Sequence, residues 1–195
     1  MATSTSTKKR TSGRPSKSPS SGRPRRAATS TSSTSPEPAG SRVPGISPED
    51  AERTIELLQD RLVALLDLQL TLKHVHWNVT GPNFIAVHEM LDPQVVATRA
   101  MSDAVAERIA TCGGSPQGTP GAVVERRPWD DYDLGRASTT EHLSKLDEVY
   151  QGVTSSHREA IDELGDLDPV SEDLLIGQLA ELELFAWFIR SHLGT

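Results

Sequence analysis

Cysteine occurs once in the 195 residues, at Cys112, which excludes an internal disulfide framework and fits a reducing cytoplasm. Aromatic side chains are scarce as well, with three Trp, two Tyr and three Phe, so a core must be packed mainly from Leu, Val, Ile and Ala. No apolar stretch approaches the roughly 20 residues of a membrane-crossing helix, and no apolar signal-peptide core is present, so no membrane partner is expected. Acids are almost missing from the first forty positions. There Glu37 stands alone against Lys8, Lys9, Arg10, Arg14, Lys17, Arg23, Arg25 and Arg26, a local charge of +7. From residue 41 onward the balance reverses to 12 basic and 26 acidic residues, or −14.

Residues 1–45 are built mostly from Ser, Thr, Pro, Gly, Lys and Arg, with too few large apolar groups to offset the entropy of ordering them, and are expected to be disordered. A transit peptide shares the Arg and Ser richness but needs amphipathic helical spacing, which the prolines and the missing Leu, Ile and Phe deny.

The body, residues 46–195, reads as helices. Ser47-Pro48-Glu49-Asp50 supplies an N-cap hydroxyl, a proline at the first helical position and acids in the first turn. Ile55, Leu58, Leu62, Leu65 and Leu66 recur at three and four, predicting one long helix to Val79. A second helix is expected from Asn83 to Ala110, stopped by Cys112-Gly113-Gly114-Ser115-Pro116, with Pro93 as a point where it would kink or divide. A turn-rich link, 118–133, is expected to hold a short helix anchored by Trp129 and Tyr132. A third long helix is expected over 138–164, and a fourth from Pro169, capped by Asp168, to His192. Few strand signals remain, so the expected fold is an all-α antiparallel four-helix bundle.

Most His and Glu on such a bundle are solvated surface groups. A di-iron centre inside one bundle uses paired Glu-x-x-His motifs, and no Glu-x-x-His occurs here. What does occur is HWNVTGPNFIAVHEMLD, residues 76–92, followed by Asp103-x-x-x-Glu107. His88 and Asp92 are four apart, as are Asp103 and Glu107, so each pair shares a helix face. Asp92 and Asp103 lie eleven residues apart, close to three turns, so both pairs point the same way but stand about 16 Å apart along the axis. One metal cannot be held by both pairs of one straight helix. Two copies packed antiparallel across a two-fold axis would set His88 and Asp92 of one against Asp103 and Glu107 of the other, making two equivalent sites. His76, brought in by the Gly81-Pro82 turn, would complete each. Imidazole with carboxylates suits iron, manganese or zinc, and an open, oxygen-rich set leans towards Fe(II).

The run HWN-x-x-G-x-NFIAVHEMLD, with Asp103-x-x-x-Glu107, the Gly-Gly-Ser-Pro stop, LKHVHWNV, VHEMLDPQV, Asp173-Leu-Leu and Phe185-Ala-Trp-Phe-Ile, resembles the Dps family of DNA-protecting mini-ferritins, in its actinobacterial form. The likeness covers residues 46–192. It implies a ferritin-like bundle assembled as a homo-oligomer, a hollow dodecamer, with ferroxidase centres at two-fold interfaces. Each centre would bind two irons, oxidise Fe(II) to Fe(III) with hydrogen peroxide in preference to oxygen, and pass ferric iron to an internal store. The family's iron positions match His76, His88 and Asp92 of one subunit and Asp103 and Glu107 of its neighbour. No organic cofactor is implied. Trp77, beside His76, is a candidate electron donor when one iron alone is bound; plain packing is its competing reading.

The acids Asp162, Glu163, Asp166, Asp168, Glu172 and Asp173 surround the turn between the third and fourth long helices, where the resemblance implies negatively charged three-fold pores. Asp166, Asp168, Glu172 and Asp173 are the candidates for drawing in Fe(II). Capping and solubility compete for the same residues, since Asp168 before Pro169 is a ready N-cap. His74 reads as structural or solvated, and His142, His157 and His192 have no acids at ligand spacing and receive no role. Ser-Gly-Arg-Pro occurs at residues 12–15 and 21–24, resembling the core of a minor-groove AT-hook with Ser where the hook has a basic residue. Eight positive charges in any case suffice for salt-sensitive DNA binding, multiplied if many arms share one shell, which predicts a nucleoid-associated protein. The alternative function is a nucleoid-compacting structural DNA-binding protein with a weak or non-iron metal site.

Overall fold

A computed structural model describes residues 43–194; the eight basic residues of the arm lie outside the described residues. The elements run α1 (Pro48–Asn78), β1 (Val79–Thr80), α2 (Phe84–Thr111), α3 (Pro120–Arg126), β2 (Ala137–Ser138), α4 (Thr139–Leu167) and α5 (Pro169–Leu193).

Local chemistry sets these boundaries. Ser47 accepts the Asp50 N–H at 3.0 Å and Pro48 opens α1. Ser138 and Glu141 form a reciprocal capping box at the start of α4. Between α1 and α2 the chain reverses through Gly81 at φ +95° and Asn83 at φ +62°, conformations open to Gly and tolerated by Asn. Pro93 neither breaks nor divides α2. It withholds one N–H from the helix, yet Leu91, Gln94 and Thr98 are buried on either side and keep the segment packed.

Each of α1–α2 and α4–α5 is an antiparallel hairpin. β1 pairs in parallel with β2, so the end of α1 and the start of α4 lie at the same end of the molecule. The bundle therefore runs up, down, down, up, with one long crossover between α2 and α4. At its start Gly113 takes φ +100° and Gly114 lies where an added Cβ would sit 2.9 Å from Ile55 and Ile109 side chains, so both glycines of the stop are required. Gln59 then bonds both the carbonyl and the N–H of Gln117, at 2.9 and 2.8 Å.

The short helix lies inside the expected link; it begins at Thr119-Pro120 and ends before Trp129 and Tyr132, whose side-chain hydrogen bonds are not made to it. Instead Trp129 Nε1 donates to Asp67 at 2.8 Å, and Tyr132 Oη lies 2.9 Å from His142 Nδ1, fastening the extended chain after α3 to α1 and α4. The core between the hairpins is mainly Leu, including Leu58, Leu65, Leu72, Leu91, Leu146 and Leu182, with Tyr150 donating to Gln94 at 2.7 Å. No helix among the described residues is long and apolar enough to cross a membrane.

Candidate metal centre

The turn that reverses α1 into α2 also brings His76 against His88. Their rings stack with centroids 3.6 Å apart and 23° between planes. The hydrogen bonds are reciprocal: Nδ1 of His76 meets the His88 carbonyl at 2.9 Å, and Nδ1 of His88 meets the His76 carbonyl at 2.9 Å. A carbonyl can only accept, so each Nδ1 carries the hydrogen. Each Nε2 is thereby left with its lone pair, the form a metal requires, with a backbone partner fixing ring orientation. Phe84 packs obliquely on His88 at 5.1 Å.

Asp92, one turn after His88, places Oδ1 3.4 Å from His76 Nδ1. It also accepts from Lys73 Nζ at 2.7 Å. The hydrogen bond from Lys73, with the charge of its ammonium, holds the half-exposed Asp92 carboxyl below its usual range. Lys73 went unnoticed in the sequence, although it precedes His76 by three residues and so shares its face. His76 itself is buried, at 7% exposure.

Asp103 and Glu107 are exposed on α2 towards its far end and make no ion pair among the described residues. Asp103 lies in a groove beside α1 with Leu62, Leu66, Gln69, Val96 and Arg99. Among the described residues no three His, Cys, Asp or Glu of one chain form a metal-holding group. The structure thus brings together His76, His88 and Asp92 and keeps Asp103 and Glu107 apart from them, as one straight helix must. Trp77 is 70% exposed, so within this chain it is not packed away.

At the α4–α5 corner the four acids divide. Asp168 is 2% exposed; it caps α5 by accepting from Val170 N at 3.3 Å and also accepts from Ser171 and from Arg108. Asp166 and Asp173 are exposed and Glu172 is half-buried. His192 is exposed, and the other three histidines sit in the packing of the fold. His74 Nε2 bonds the Leu134 carbonyl at 2.7 Å, and His142 and His157 are fully buried. Burial pushes the His157 imidazole down to about 4.

A four-helix bundle with one long crossover and metal-ligand types at the hairpin turn defines a class, and residues 55–195 match the ferritin-like domain. Within that class the relatives are specific. The DNA protection during starvation protein of Mycolicibacterium smegmatis is 56% identical over 153 residues, 78% of this chain and 84% of that protein. Among solved structures, DpsA14 from Streptomyces coelicolor is 61% identical with a TM-score of 0.78, covering 80% of this chain and 92% of that one. Mycobacterium smegmatis Dps is 56% identical with a TM-score of 0.78, covering 78% and 87%. The chain belongs to the Dps family of ferritin-like proteins.

Proposed function

We propose that this protein is a ferroxidase and iron store that protects DNA, its centre completed between two copies of the chain. The observation that carries the reading is the histidine pair with both Nδ1 atoms bonded to carbonyls, with Asp92 against His76, while Asp103, about 16 Å along the helix from Asp92, and Glu107 are unpaired among the described residues. A two-fold axis across α2 would bring the two halves together, and the groove beside Asp103 offers Leu62, Leu66 and Val96 to such a contact.

Fe(II) is the substrate. His76 and His88 would supply neutral nitrogens, and the carboxylates would bind Fe(II) and hold Fe(III) more tightly, favouring oxidation. Two Fe(II) would each give one electron to hydrogen peroxide, which takes up two protons and leaves as two waters, so no hydroxyl radical is released. Lys73 must leave Asp92 for that carboxylate to bind metal. Trp77 is a reserve electron donor in this reading. Asp166, Glu172 and Asp173 would draw cations to a pore in a dodecameric shell, around the buried Asp168. The tail, residues 1–45, would hold DNA through Lys8, Lys9, Arg10, Arg14, Lys17, Arg23, Arg25 and Arg26, placing the protein on the nucleoid in the cytoplasm.

The test is anaerobic Fe(II) loading followed by peroxide or oxygen, with ferric absorbance recorded for wild type and for Asp103→Asn/Glu107→Gln. The wild type should oxidise iron quickly with peroxide and the double variant should fall to the buffer rate. Equal rates would exclude these carboxylates from the centre and leave DNA compaction as the leading function.

A further inference from the structure

The face of α1 away from α2 packs against α4, and residues 128–132 of the crossover roof the groove between them. The result is a cavity of about 510 Å³ on the opposite side of α1 from the Asp103 groove. Leu68 from α1, Val149 and Val153 from α4, and Trp129 and Tyr132 from the roof give it an apolar surface, and the acids Asp67, Asp130, Asp131, Glu148 and Glu159 also line it. Gly152 leaves its own stretch of wall open, with nothing within 4 Å of where a Cβ would be.

One end of the cavity is different in kind. Arg61 is 8% exposed and its guanidinium makes one hydrogen bond, to the Ser156 hydroxyl. Among the described residues no carboxylate reaches ion-pair distance of it. Asp67 on the same wall is engaged by Arg127 at 3.0 Å and by Trp129 at 2.8 Å, and Lys145 is paired with Glu148 at 3.2 Å. Glu159 lines the cavity without pairing with Arg61, so with Asp60 it offsets the buried charge only from a distance. A guanidinium stays ionised in proteins and carries five N–H donors in a planar fork. Burying that charge against a single neutral hydroxyl is costly unless an anion completes it.

We propose that this cavity binds a small aromatic carboxylate, its carboxylate bidentate on Arg61 and its ring between Val149, Val153 and the Trp129–Tyr132 roof. The carboxylate matches the fork of the guanidinium, and the apolar walls select an acid with a one- or two-ring body over inorganic anions. Arg61 precedes His76 by fifteen residues, about 22 Å along α1, so this site is separate from the metal centre.

The experiment is calorimetric titration of the full-length assembled protein with 2-naphthoate and benzoate, with 2-naphthamide as the uncharged counterpart and inorganic phosphate as the anion without a ring. Naphthoate should bind at one site per subunit, with the amide and phosphate each weaker by about ten-fold or more. Arg61→Gln should lower naphthoate affinity by a similar factor and leave assembly and iron oxidation unchanged. Trp129→Phe should quench the fluorescence response to naphthoate. Undiminished binding to Arg61→Gln, equal binding of amide and acid, or no binding of either acid would each overturn the proposal. So would a structure of the shell in which a neighbouring subunit's carboxylate occupies Arg61. Should Arg61→Gln fail to fold, the acid–amide comparison on wild type decides.

Discussion

Asp168→Ala tests how the α4–α5 corner is held and whether that acid serves iron or the fold. The substitution removes the acceptor for Arg108, for Ser171 and for the Val170 N–H at 3.3 Å. It leaves Arg108, whose side chain is 14% exposed, with its hydrogen bond to the Ser171 hydroxyl at 2.9 Å but no carboxylate. Breaking a buried pair from one side costs about 3–5 kcal/mol, and losing an N-cap about 1 kcal/mol. With about 2–4 °C per kcal/mol for a chain of this size, the melting midpoint should fall on the order of 10–15 °C. Asp168→Asn keeps a capping oxygen and should fall by less than half of that. Burial pushes the Asp168 carboxyl up, and the hydrogen bonds from Arg108 and Ser171 more than offset it, leaving the group below its usual range. Its stabilisation is therefore complete above about pH 4 and is lost as pH falls through the depressed folded value. The assay is thermal melting by circular dichroism at one fixed protein concentration, since assembly couples stability to concentration. Iron uptake by Asp168→Asn should match wild type, whereas Asp166→Asn/Asp173→Asn should slow it. A melting point of Asp168→Ala within about 1 °C of wild type would refute the corner energetics. Uptake slowed equally by Asp168→Asn and the exposed pair would refute the division of labour.

Three further outcomes follow from the same geometry. Lys73→Met frees Asp92 from its 2.7 Å ion pair, so anaerobic titration should show Fe(II) binding several-fold more tightly; unchanged affinity would mean that Lys73 does not compete with metal. His157 is neutral in the fold down to about pH 4 against an ordinary value near 6.5, so its contribution to stability should decline as pH drops from about 6.5 to 4 and change no further below. That loss should be at most about 3 kcal/mol, read from urea midpoints, and His157→Leu should remove it. Deleting residues 1–40 should abolish DNA retention in gel shifts while leaving iron oxidation intact; a truncated protein that still shifts DNA at the same salt would refute the role of the arm.

The helices were legible where side chains cap or break the backbone. Ser47-Pro48, the Gly113-Gly114 stop and Asp168-Pro169 act through bonds one to four residues long, and a sequence displays such bonds directly. The short helix falls inside the expected link, but its local signal is Thr119-Pro120 rather than the downstream Trp129 and Tyr132. β1 and β2 are two residues each, too short for any alternation to show, and their pairing, Val79 with Ala137, spans 58 positions. In the candidate metal centre, spacing alone put His88 on one face with Asp92 and Asp103 on one face with Glu107. The reciprocal carbonyl bonds and the Lys73 contact depend on how α1 meets α2, which no spacing within one helix reveals.

The reciprocal histidine bonds also bear on how this sequence would drift under selection. His76 and His88 each close the α1–α2 hairpin by bonding the other's backbone, so losing either weakens the fold before it touches iron. Selection for a stable chain would therefore keep both histidines in a descendant that no longer oxidised anything. Asp103 and Glu107 pair with nothing among the described residues, and relaxed selection would erode them first. Among related sequences, the survival of those two carboxylates is the sharper mark of living iron chemistry.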